Sequence, residues 1–237
     1  MPQTKIAILA NFKPGYKPHE AMHSCFEDLR NAFDLNFEWI PTELLADSAE
    51  HVLSGYDGII AGSGPYQSKQ GILNGIRYAR LNNIPFMGTC SGFGYAVLEF
   101  GQSLFGLSDV FHPYERPDLA ADETFLQPLN NCPTEMVPIT FKPVPGTLAA
   151  AIYEDQPVVT ELSHCVYGVS AAMLPVFANA GLVSSAVDDH GETKVMEYQP
   201  NDFFIITLFL PQLNPAGNAP HPLIARFLQA AVNRTRH

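Results

Sequence analysis

The tightest constraint on this chain is Gly88-Thr89-Cys90-Ser91-Gly92, which follows the apolar run Ile84-Pro85-Phe86-Met87 and precedes a helix-patterned stretch over 93–100. A strand that enters G-x-C-x-G and leaves as a helix has the form of a nucleophile elbow, with Cys where Ser is more familiar. The glycines allow a very tight turn, which pushes the thiol out at the carboxyl end of the sheet. The start of the helix favours the thiolate. The N–H of Ser91 faces the oxyanion that forms when a thiolate adds to a carbonyl. Such an elbow belongs in an α/β sheet.

The rest of the chain agrees. Strand-like runs over 5–10, 37–40, 58–61 and 84–88 alternate with helical spacing over 19–33 and 72–81, where Met22, Phe26, Leu29 and Phe33 share one stripe. This alternation predicts a doubly wound, mostly parallel sheet of flavodoxin-like type, covered by helices on both faces. The second half is richer in strand patterns, at 136–141, 157–162, 182–187, 194–198 and 203–210, and a last helix is expected over 221–233. Residues 106–135, rich in Pro, Asp and Asn, read as a long irregular excursion. No repeat or linker breaks the pattern, so one domain over 1–237 is expected.

Composition narrows the function. The chain carries 24 acidic and 13 basic residues, a formal charge of −11. That excess opposes phosphate backbones and anionic lipid, so neither nucleic acid nor membrane is an expected partner. No apolar stretch reaches the roughly 18 residues needed to span a bilayer. The amino terminus runs straight into a strand pattern without a leader-like layout, and a cytoplasmic location is expected. Cys25, Cys90, Cys132 and Cys165 are scattered without a C-x-x-C pair, which suggests free thiols rather than a zinc site or disulfide framework. With no P-loop, dinucleotide fingerprint or metal-ligand spacing, no cofactor and no metal is expected.

The segments Asp57-Gly-Ile-Ile-Ala-Gly-Ser-Gly-Pro-Tyr66, Gly71-Ile-Leu73, Ile76-Arg-Tyr-Ala-Arg80 and Asn83-Ile-Pro-Phe-Met-Gly-Thr-Cys-Ser-Gly92 resemble class I glutamine amidotransferases, most of all the glutaminase half of CTP synthase. Trp39-Ile-Pro-Thr-Glu-Leu44, Ala96-Val-Leu-Glu-Phe100, Ala180-Gly-Leu182, Asp202-Phe-Phe204 and His221-Pro-Leu223 extend the likeness over nearly the whole chain. The resemblance makes Cys90 the nucleophile. It gives Ser63, Gly64 and Tyr66 to an oxyanion loop beside Ser91 and Gly92.

The chain departs from the family at three places. The family serves its cysteine with a His and a Glu in a Phe-His-Pro-Glu segment, where this chain has Phe209-Leu210-Pro211-Gln212. Leu210 takes no proton, and Gln212 does not charge-stabilise an imidazolium. The family's arginine-rich substrate segment aligns with Glu161-Leu-Ser-His-Cys-Val-Tyr-Gly168. Val166 stands where an arginine would clasp the glutamine α-carboxylate, with Leu162 and His164 at the other arginines. In the oxyanion loop Pro65 contributes no N–H, although Ser63 or Gly64 still offers one.

His164 is the substitute acid–base candidate, with Cys165 beside it at a place that faces ligand in the family. His112, Tyr114 and Glu115 lie in the excursion and read as surface loop. Glu99, farther along the helix that follows Cys90, reads as a structural hydrogen-bonding group. Two readings stay open. One is a Cys90-dependent hydrolase or transferase for a small amide or acyl compound other than glutamine. The other is an inactive binding or regulatory module, with weak glutaminase activity through His164 as a further variant. A small molecule is the expected ligand, and a homodimer or partner protein is compatible with both.

Overall fold

The computed structural model describes residues 3–130, 135–213 and 220–235. In chain order these form β1 (Thr4–Leu9), α1 (Lys17–Leu29), β2 (Leu35–Ile40), α2 (Ala49–Leu53), β3 (Gly58–Ala61), α3 (Lys69–Leu81), β4 (Phe86–Thr89) and α4 (Ser91–Phe105). There follow α5 (Ala121–Thr124), β5 (Leu126–Pro128), β6 (Val137–Pro143), α6 (Leu148–Ile152), β7 (Val159–Ser163) and β8 (Tyr167–Val169). The last elements are α7 (Leu174–Asn179), β9 (Leu182–Val187), β10 (Thr193–Tyr198), β11 (Phe204–Thr207) and α8 (Pro222–Thr235).

Nine strands form one sheet in the order β2-β1-β3-β4-β11-β10-β9-β6-β7. The first five are mutually parallel and the remaining pairings are antiparallel. The order 2-1-3-4 is that of a flavodoxin-like doubly wound sheet, in which ligands bind beyond the carboxyl ends of the strands. Every residue of β3, β4 and β11 is buried, as a parallel strand covered on both faces requires.

Alternation along β1 divides the core. Ile6 and Ile8 pack with Met22 and Phe26 of α1 and with Phe227 of α8. Ala7 and Leu9 face the other side, with Ile72 and Ile76 of α3 and Phe93 and Val97 of α4. Helices therefore cover both faces, as the alternation of patterns predicts.

The structure differs from the sequence reading in several places. The strand expected over 203–210 ends at Thr207, and Leu208 to Leu210 leave the sheet while staying almost fully buried. Their apolar character reflects core packing rather than strand pairing. The helix expected to reach 33 stops at Leu29, and a turn over 30–34 ends in Asp34 at φ 46°. The helix after Cys90 runs on to Phe105 and is capped by Gly106 in the left-handed region. The excursion is more ordered than expected, because β5 pairs antiparallel with β8. Lys69 anchors it through ion pairs to Asp109 at 2.8 Å and Glu115 at 3.3 Å. The short helices α2, α5, α6 and α7 have no counterpart in the sequence reading. Among the described residues no helix is long and apolar enough to cross a membrane.

Candidate active site

Gly88 is the third residue of β4, and Cys90 is the N-cap of α4. Cys90 adopts φ 54° and ψ −111°, a conformation that non-glycine residues rarely take and that functional sites tend to hold. Its N–H donates to the carbonyl of Thr207 at 2.9 Å, and its own carbonyl accepts from Phe93 at 3.0 Å. The flanking glycines are sterically required. A Cβ on Gly92 would sit 2.2 Å from the carbonyl oxygen of Ala61, and one on Gly88 would sit 2.9 Å from Ile206 Cγ2. Strand, sharp turn and helix are thus locked to both neighbouring strands, and the thiol is half-buried.

Cys165 and, to a smaller degree, Ser91 and Ser63 hold the Cys90 thiol below its ordinary value, against the opposing effect of burial. Cys165 moves the opposite way. Its hydrogen bond to Cys90, its burial and the charge on Cys90 keep it protonated well above the ordinary range. Of the two, Cys90 is therefore the more acidic thiol.

The loop after β3 lines the other side. Ser63 is 2 % exposed, and its Oγ has no hydrogen-bond partner among the described residues. A Cβ on Gly64 would lie 3.1 Å from Ser91 Oγ, which places this loop against the start of α4. Gly64-Pro65 is a cis peptide, and the Tyr66 hydroxyl donates to the carbonyl of Gly62. His19, fully buried at the start of α1, supports the loop from behind. Its Nδ1 accepts from the Lys13 N–H at 3.1 Å, so Nε2 carries the proton and donates to the Ser63 carbonyl at 2.7 Å. Burial lowers the His19 pKa and keeps the ring neutral.

Tyr16 and His19 are absent from the sequence reading. Burial raises the Tyr16 phenol, and the charges of Cys90 and Cys165 add to the rise, so its hydroxyl stays protonated. Neither residue has a local signal, because α1 is far from the elbow along the chain and only the sheet brings them together.

The segment after β7 places His164 and Cys165 differently. His164 is exposed, whereas Cys165 is buried at 7 % exposure. The Cys165 N–H donates to Ser163 Oγ at 3.1 Å, and that hydroxyl donates to the Leu208 carbonyl at 2.5 Å. Val166 is half-buried, and its carbonyl accepts from Leu129 at 2.9 Å. Leu210 is 1 % exposed, with its N–H bonded to the Leu162 carbonyl. Gln212 is also buried, and its amide donates to the Pro18 carbonyl at 3.3 Å.

An aromatic wall runs from Tyr66, in the loop after β3, to β8. Tyr66 meets Tyr95 at 5.1 Å between ring centroids, Tyr95 stacks on His112 at 5.8 Å, and His112 meets Tyr167 at 5.4 Å. Burial lowers His112 to about 4, so this ring is neutral. Glu115 accepts from the Tyr95 hydroxyl at 3.2 Å. Glu99 is remote from this chemistry. It is fully buried and binds Arg77 at 3.0 Å, Arg80 at 2.7 Å and Ser103 at 2.6 Å. Cys25 and Cys165 are free like Cys90, and Cys132 lies outside the described residues.

Comparison with known proteins gives this geometry a family. CTP synthase of Staphylococcus aureus (strain JH9) is 28% identical over 228 residues, which cover 90% of this chain and 42% of that protein. The chain thus spans less than half the length of such curated relatives. In shape it matches the Trypanosoma brucei CTPS glutaminase domain with bound acivicin, with a TM-score of 0.85, 23% identity and coverage of 98% of this chain and 94% of that one. A glutamine amidotransferase from Thermotoga maritima matches more loosely, with a TM-score of 0.58, 10% identity and coverage of 100% of this chain and 96% of that one. The family described as glutamine amidotransferase class-I matches residues 19–203, a span that takes in the loop at Ser63–Tyr66, the turn at Cys90 and the Cys165 segment. With that match across most of its length, the chain belongs to the class I glutamine amidotransferase family.

Proposed function

We propose that Cys90 is the nucleophile of an acyl-transfer site, a hydrolase or transferase acting on a small amide or other acyl compound that is not ordinary glutamine. The observation that carries this reading is a cysteine held at positive φ as the N-cap of α4, with Cys165 and Ser91 drawing its thiol below the ordinary value. The thiolate adds to the acyl carbon, and the carbonyl electrons move to oxygen. The N–H of Ser91 and a main-chain N–H of Ser63 or Gly64 then face that oxygen. Collapse expels the leaving group and forms a thioester on Cys90, which water or an acceptor cleaves.

A substrate other than glutamine follows from what lines the site. Leu162, exposed His164 and Val166 stand at the arginine positions, so no guanidinium clasps an α-carboxylate there. Leu210 fills the place of the family's histidine, and loss of general acid–base help slows amide cleavage by about 10² to 10⁴. A leaving group that departs as a stable anion, such as a thiolate or phosphate, does not need that help. Thioesters and acyl phosphates therefore fit better than primary amides.

The direct check is alkylation of Cys90 as a function of pH, with the modified peptide identified by mass spectrometry. The expected rate rises with a midpoint below the roughly 8.5 of a free thiol. A p-nitrophenyl ester should leave an acyl group on Cys90 and none on the C90S variant. An inert thiol that titrates like free cysteine and takes up no acyl group would overturn the proposal and favour an inactive binding module.

A further inference from the structure

We infer that a cavity at the amino ends of the parallel strands binds the phosphate group of a small phosphate ester, at the edge of the sheet opposite Cys90. The inference goes beyond the acyl-transfer reading and does not rest on it.

The cavity measures about 720 Å³. Small-molecule sites occupy roughly 300–1,000 Å³, so the space suits a compact ligand. Its lining includes Asp57, Pro85 and Phe203, each the residue just before a strand, since β3 begins at Gly58, β4 at Phe86 and β11 at Phe204. Cys90 follows the last residue of β4, so the length of that strand, roughly 13 Å, separates the two places. One face of α8 forms the outer wall. Arg226, Ala230, Asn233 and Arg234 all line the cavity, and their spacing puts them on one side of a helix. Ala230 carries only a methyl group and leaves room between the two arginines.

The charges decide what such a cavity takes. With 24 acidic residues against 13 basic ones, a guanidinium in this chain readily finds a carboxylate. Arg30, Arg77, Arg80 and Arg116 each do so. Arg226 and Arg234 form no ion pair among the described residues, and both line this one cavity. Arg226 is exposed, and Arg234 Nη1 donates only to the Asn83 carbonyl, at 3.2 Å, which holds it at the rim.

Two aspartates share the lining without neutralising these arginines. Asp57 Oδ2 accepts from the Lys5 N–H at 2.8 Å, and Asp202 Oδ2 accepts from Asn83 Nδ2 at 2.7 Å. Both carboxylates are thus held by donors other than the guanidiniums. An arginine fork matches phosphate oxygens bidentately, and two forks suit a group that carries about two negative charges at neutral pH. Tyr56, Pro85, Leu148 and Phe203 add apolar surface for the body of the ester.

The test is isothermal titration calorimetry on the full chain at low salt, with phenyl phosphate, inorganic phosphate and phenol as probes. Phenyl phosphate should bind saturably, at least about tenfold more tightly than either of the others. R226Q should weaken that binding about tenfold, and R226Q/R234Q should abolish it. C90S should bind the ester like wild type, and saturating phenyl phosphate should leave the rate of Cys90 alkylation unchanged. Both arginines are exposed, and circular dichroism of each variant checks that it is folded.

The inference falls if no probe binds saturably at millimolar concentration, if inorganic phosphate or phenol binds as tightly as phenyl phosphate, or if R226Q binds like wild type. Loss of binding in C90S would move the ligand to the elbow and overturn it as well. An inert Cys90 thiol beside intact phenyl phosphate binding would remove the acyl-transfer reading and leave this inference standing.

Discussion

The carboxyl ends of β4 and β11 lie side by side in the sheet and have very different character. At the end of β4, backbone contacts fix the elbow. Gly92 has no room for a Cβ beside Ala61, and the Cys90 N–H is bonded to Thr207. At the end of β11, Leu208, Phe209 and Leu210 are each at most 1 % exposed and fill space with hydrocarbon. The geometry of Cys90 is set by the main chain and survives as long as the sheet does. Acid–base chemistry depends on single side chains, so hydrocarbon can replace it while the fold stands.

Four substitutions test that contrast. G92A should have the largest effect, since its methyl group would lie 2.2 Å from a backbone oxygen that cannot swing aside. We expect a loss of more than about 4 kcal/mol in urea unfolding, or no folded protein. A mild effect would mean that the elbow is looser than its contacts indicate. L210A should lower stability by about 3 kcal/mol through the cavity it leaves, with Cys90 alkylation at neutral pH unchanged. A large change in alkylation would show that Leu210 acts on the thiol and is more than packing.

The third test concerns the aromatic wall beside the elbow. Burial lowers His112 from 6.5 to about 4, so the unfolded chain binds a proton first as pH falls. Wild-type stability should therefore drop by about 2 kcal/mol between those pH values, while H112Q should lack most of that slope. Equal slopes in the two proteins would count against a neutral buried ring. The smallest effect is expected from S63A, which removes the weakest of several influences on the thiol. Alkylation at neutral pH should slow by about twofold as the thiol pKa rises.

The elbow and its parallel surroundings are legible in the sequence because their signals are local. Gly88, Cys90 and Gly92 sit within five consecutive residues, and the strand expected at 58–61 has its observed limits. The stretch after Thr207 reads as strand because a buried irregular segment is as apolar as a buried strand. The short helices stay hidden for a related reason. Ala49–Leu53 and Leu148–Ile152 span little more than one turn each, too short to show a period. Around the sulfur, residue type alone points to His164. The structure leaves His164 exposed and turns Cys165 inward, because successive residues of an extended segment face opposite sides.

By itself, the sequence determined the family, the parallel sheet and the presence of a cysteine on a sharp turn. Each of these follows from spacing within a few residues or from alternation along one element. Only the tertiary structure decided what surrounds that cysteine. Tyr16, His19, Ser63 and Cys165 are gathered from distant stretches of chain. The strand order β2-β1-β3-β4-β11 and the antiparallel extension beyond it bring them together. A thiol's proton affinity depends on which dipoles point at it, and that is a property of the folded neighbourhood.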